Sequence, residues 1–79
     1  MDFHPCFDRS RNRHPHVTRE ISEEIAASYE HEETQDDGRI RRWGYSEDLD
    51  KYIRVILLPD GDTIFNAFPD RDYERKYKP

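Results

Sequence analysis

A chain of 79 residues allows one domain, 1–79, near the lower size limit for a core that stands without staples. Hydrophobic residues make up 33% and charged residues 39%, so the 13% of aromatic residues carries the case for a packed core. The single cysteine, Cys6, excludes an internal disulfide and fits a reducing compartment, most simply the cytoplasm; no apolar run approaches a membrane span, and the N-terminus lacks the apolar region of a signal peptide.

The net charge of −5 is unevenly spread. Residues 1–19 hold Arg9, Arg11, Arg13 and Arg19 against Asp2 and Asp8. Residues 20–37 hold eight acids and neither Lys nor Arg, while 38–79 hold nine bases and eight acids. The total opposes strong nucleic-acid affinity, yet the segregation permits one basic face.

In chain order, residues 1–17 predict a short helix around Pro5 that ends where Pro15 restricts His14 to extended geometry. Residues 1–10 and 74–79 are expected to bury little and to be flexible. Over 18–29, Thr18 is an N-cap candidate, and Ile21, Ile25 and Tyr29 recur at spacing four, the stripe of an amphipathic helix. Glu20, Glu23 and Glu24 suit the positive end of its dipole. "HEETQDDGRIRRWGY" predicts an edge strand, a turn at Asp37-Gly38 and a second strand from Arg39 to Tyr45. "KYIRVILL" and "TIFNAF" predict a hairpin around "LPDGD", with Pro59 and Asp60 as turn centre and Gly61 as the left-handed residue of a bulge.

That three-residue loop sets Arg54 opposite Asn66, Ile56 opposite Ile64 and Tyr52 opposite Phe68. Ile53, Val55 and Leu57 then share the other, apolar face with Phe65 and Ala67, against which the helix should pack. The expected fold is α+β: one or two N-terminal helices on a three- to four-stranded antiparallel meander sheet.

Four histidines and cysteines fall in two close pairs, His4-Pro5-Cys6 and His14-Pro15-His16, but their steps are not those of structural zinc sites, and no metal is expected. The pairs read more simply as proline-stiffened turns. No Ser-His-Asp elbow, Gly-rich phosphate loop or dinucleotide fingerprint is present, and no cofactor is expected. His14 and His16 are acid–base candidates, since imidazole titrates near neutrality; as surface residues at a helix entry they read equally well. Trp43, Tyr45 and Tyr52 beside Arg39, Arg41, Arg42 and Arg54 form a mixture that stacks bases and binds phosphate, or simply an amphipathic strand face. Arg54 and Asn66 stand out because they occupy strand positions where apolar residues would stabilise more.

"RNRHPHVT", a helix, "DDGRIRRWGY", "KYIRVILLPDGDTIFNAF" and "PDRDY" together resemble small bacterial and phage-borne proteins of the RelE-like superfamily, grouped with barnase-, EndoU- and colicin-like nucleases, over about residues 12–73. The resemblance implies metal-independent RNA cleavage on the sheet, as in toxins of toxin–antitoxin pairs, with an antitoxin-like partner. On that reading His14 or His16 is the basic element of the helical start, Arg39 to Arg42 are strand cations, and Asn66 stands where many members have Thr or Ser. The catalytic candidates are then His14, His16, Arg42, Arg54 and Asn66, with Arg39, Arg41, Trp43, Tyr45 and Tyr52 binding RNA. The alternative expectation is a non-enzymatic module or inactive relative that binds a partner or a second copy. It would use an apolar face of Tyr52, Ile56, Leu58, Ile64 and Phe68.

Overall fold

A computed structural model describes residues 1–77. The elements run β1 (Asp2–Phe3), α1 (Pro5–Arg13), α2 (Arg19–Ala27), β2 (His31–Thr34), β3 (Ile40–Ser46), β4 (Lys51–Leu57), β5 (Thr63–Pro69) and α3 (Arg71–Tyr77). The five strands form one sheet in the order β1-β5-β4-β3-β2, with β1 parallel to β5 and every other pair antiparallel. The α+β class is as expected. The sheet, however, is mixed and five-stranded rather than a three- to four-stranded meander, and a third helix follows it. β1 has no signal in the sequence because two residues show no periodicity; its place rests on Asp2 N–H donating to Asp62 O and His4 N–H to Ile64 O.

Helix α1 begins at Pro5, whose missing N–H and fixed φ suit the first turn, and His4 is its N-cap, Nδ1 accepting from Cys6 N–H at 3.1 Å. It ends at His14, before Pro15. Its Phe7 is 1% exposed, so the first ten residues contribute to the core, contrary to the expectation that they bury little. Of the expected 74–79 tail, residues 74–77 lie in α3, and the last two fall outside the described residues. Helix α2 starts as its sequence predicts, with Thr18 Oγ1 accepting from Ile21 N–H. Ser22, Ile25 and Ala26 are its buried residues; Tyr29 lies beyond its end, exposed.

The face that meets α1 and α2 carries Ile53, Val55, Leu57, Ile64 and Ala67, joined in the core by Phe7, Val17, Ile25 and Ala26. Burying each of the Val, Leu, Ile and Phe side chains contributes roughly 1.5–3 kcal/mol.

The β4–β5 register differs from the expected one. Arg54 lies opposite Phe68, Val55 opposite Ala67, Ile56 opposite Asn66 and Leu57 opposite Ile64, with a shift between Ile56 and Leu57. Two causes act in sequence. The turn at Pro59-Asp60-Gly61 forms as predicted, with Gly61 N–H on Leu58 O and φ of 72° at Gly61. Asp60 Oδ1 then holds the amides of Asp62 and Thr63 at 2.8 and 2.9 Å, so Leu58 pairs with Thr63 and the loop gains a residue. These bonds lower the Asp60 pKa, that from Asp62 N–H most. Phe65 is then the extra residue of a bulge, which turns Ile64 onto the core face in the place expected of Phe65. The two additions together preserve the parity of Arg54, Asn66 and Phe68, which still share one face.

Candidate functional site

Arg41, Trp43 and Tyr45 pair with Ile56, Arg54 and Tyr52, so they stand with Asn66 and Phe68 on the face away from α1 and α2, here the outer face. Alternation sends Arg42 the other way, opposite Val55. There Arg42 is spent on structure: Nε donates to Glu32 Oε2 at 2.7 Å, Nη1 to Ala26 O at 2.9 Å, and the guanidinium lies over Tyr29. Arg42 therefore cannot share a site with Arg54 and Asn66. Gly44 was the missed signal. A Cβ there would meet Ile25 Cδ1 at 3.1 Å, so this glycine marks the helix-covered face, and Arg42 lies two residues before it.

Helix α3 covers one end of the outer face. Tyr73 is 4% exposed and stacks on Trp43 with ring centroids 5.4 Å apart and an interplanar angle of 14°. Trp43 Nε1 donates to Asp70 Oδ2 at 2.9 Å, and the ring is 3% exposed, which removes it from the candidate base platforms. Tyr77 meets His31 and donates its hydroxyl to Glu33. That bond, then the one to His31, holds the Glu33 carboxyl below its usual pKa.

Arg54 is half-buried. Its guanidinium lies 4.3 Å from the Phe68 ring centroid, with Nη1 3.8 Å from Asp70 Oδ2. Burial lowers its pKa, Asp70 opposes that shift, and Arg41 adds to it; an arginine stays charged throughout. Two atoms on this face, Arg54 Nε and Asn66 Oδ1, are buried without a hydrogen-bond partner among the described residues. Each such atom costs on the order of 1–3 kcal/mol. The sheet tolerates a donor and an acceptor that do not help it fold, as expected of positions kept for another purpose.

Beside them, α1 runs along the edge of β5 that β1 leaves open, and Ser10 Oγ donates to Ala67 O at 2.6 Å. Between helix and strand lies a groove of about 410 Å³ lined by Cys6, Arg9, Ser10, Arg13, His14, Phe65, Asn66 and Phe68. Its lining holds two arginines and an imidazole and no carboxylate. Among the described residues neither Arg9 nor Arg13 has an ion-pair partner, and both are exposed. The His14 ring stacks toward Phe68, centroids 6.3 Å apart. The structure thus brings His14, Asn66 and, through Phe68, Arg54 together, and adds Arg9 and Arg13. His16 is exposed in the turn before α2 and does not line the groove.

The other strand cations are partly engaged. Arg39 lies over Phe65 at 4.3 Å and pairs with Asp37. Arg41 Nε reaches the Gln35 side-chain oxygen at 2.6 Å in the amide orientation that satisfies both neighbours. The apolar face expected of an interaction module is not assembled: Ile64 is on the core side, and Tyr52 packs beneath Tyr73. Among the described residues no three His, Cys, Asp or Glu side chains gather where they could hold a metal, and no helix is long and apolar enough to cross a membrane. Compared with family models, curated proteins and solved structures, the chain matches none.

Proposed function

We propose that this protein is an RNA endonuclease, RelE-like in kind, that seats an RNA backbone in the α1/β5 groove and cleaves it without a metal. One observation carries the reading. On a protein of net charge −5, this groove is lined by two arginines without an ion-pair partner among the described residues, a histidine, two phenylalanines and an amide, and by no acid. That is the chemistry of phosphate and ring-stacking contact with a nucleic-acid strand. RNA is favoured over DNA because cleavage then needs only acid–base groups. His14 takes the proton of a ribose 2′-hydroxyl as its oxygen attacks the adjacent phosphorus. The P–O5′ bond breaks, leaving a 2′,3′-cyclic phosphate and a 5′-hydroxyl that collects a proton from solvent. Arg9 and Arg13 offset charge gathering on the non-bridging oxygens, Asn66 Nδ2 donates to one of them, and Arg54 adds its field from beneath Phe68. Ser10 Oγ is occupied by Ala67 O and takes no part.

The test is cleavage of a mixed RNA by purified protein in EDTA. Wild type should produce cyclic-phosphate ends, and His14→Gln should be slower by roughly 10²–10⁴-fold, the usual worth of a positioned acid–base group. Failure of wild type to cut, or equal rates for the variant, contradicts the reading.

A further inference from the structure

A larger cavity, about 710 Å³, lies on the outer side between the β3–β4 turn and α3. It is lined by Tyr45 and Tyr52, by Lys51, Arg71 and Arg75, and by Asp50, Asp70 and Glu74, with Pro69 at one wall. Its size is within the range of pockets that take small organic groups. Its charge differs in kind from that of the α1/β5 groove: three cations are matched by three carboxylates, so an incoming phosphate would meet repulsion as well as attraction. A nucleobase, with donors and acceptors around its edge and an uncharged aromatic face, fits such a lining.

The platform is Tyr45. It is 44% exposed, unlike Trp43 beneath Tyr73. Its ring meets Tyr52 edge-on at 67° with centroids 5.3 Å apart, which fixes its plane. Its hydroxyl donates to Asp50, and this bond raises the phenol pKa, so Tyr45 stays neutral and serves as a surface rather than a base. Asp50 has a positive φ of 53°, a conformation that Asp tolerates better than most residues, which carries its carboxylate to the Tyr45 hydroxyl.

The cavity and the groove share one stretch of chain. Asn66 and Phe68 line the groove, and Pro69 and Asp70 line the cavity. The four residue steps from Asn66 to Asp70 span about 13 Å, a distance an extended nucleic-acid strand crosses in a few nucleotides. We infer that the Tyr45 cavity is a base-binding subsite for the RNA whose backbone lies in the α1/β5 groove. The inference rests on the reading of that groove as an RNA site.

Fluorescence anisotropy with labelled 2′-O-methyl oligonucleotides, which cannot be cleaved, tests it on a hexanucleotide and a dinucleotide. Tyr45→Ala should weaken the hexanucleotide by about tenfold and leave the dinucleotide unchanged, the usual cost of losing one base–aromatic stack. Tyr45→Phe should bind both as wild type does, because the ring is retained. An abasic hexanucleotide series should contain one position at which wild type and Tyr45→Ala become equal. If Tyr45→Ala binds the hexanucleotide like wild type while Arg13→Gln weakens both probes, the subsite is overturned and the groove reading stands. Equal losses on both probes also overturn the subsite, because Tyr45 would then act through the groove. If wild type binds neither probe, both readings fall.

Discussion

Arg54 and Asn66 hold strand positions at a cost, and that cost can be measured. Arg54→Met keeps an apolar stem at this position but removes a guanidinium that lies over Phe68 and whose buried Nε has no hydrogen-bond partner among the described residues. The variant should be as stable as wild type, or more stable by on the order of 1 kcal/mol, as read by urea unfolding. Its RNA cleavage should fall at least about tenfold, because a charge aimed at the transition state is gone. Destabilisation by more than about 1 kcal/mol would instead mark Arg54 as a structural partner of Asp70. Parity alone placed Arg54, Asn66 and Phe68 on one face, and it survived a two-residue change of register because two insertions cancel. Arg42 was misplaced since "RIRR" offers arginines to both faces, and only Gly44 distinguishes them. Arg9 and Arg13 were missed as site residues because a polar helix beside a strand edge leaves no periodic trace.

At the scale of elements, the approach of α2 to β3 depends on Gly44. A methyl group there would lie 3.1 Å from Ile25 Cδ1 and 3.3 Å from Ile25 Cγ2, tighter than carbon atoms normally sit. Gly44→Val should therefore cost roughly 1–3 kcal/mol, the usual range for overpacking. Ile25→Val in the same chain should recover part of that loss, since the two positions share one contact. Chemical denaturation of the two single variants and the double measures the coupling, and strict additivity would contradict the close approach. The helices at 5–13 and 19–27 and the strands from 31 onward were legible because caps, prolines and alternation agree there. β1 and α3 were not. Two residues carry no period, and "YERKYKP" reads as a frayed tail until Tyr73 is seen against Trp43.

For the whole molecule, the proposed function requires an acidic protein to keep a cationic groove for a phosphate backbone. Its net negative charge comes from residues 20–37, which hold eight acids and no Lys or Arg, and none of these residues lines the groove. Affinity for RNA should therefore fall with salt in proportion to the phosphates neutralised, despite the net charge. The deciding measurement is the slope of log affinity against log salt for an uncleavable single-stranded RNA, taken for wild type and for Arg9→Gln/Arg13→Gln. Each lost phosphate contact on a single strand removes about 0.7 from the slope, so the double variant should be shallower by about 1.4, with its melting temperature unchanged. A slope equal to that of wild type would rule out a phosphate-binding groove between α1 and β5, because the two arginines would then neutralise no phosphate.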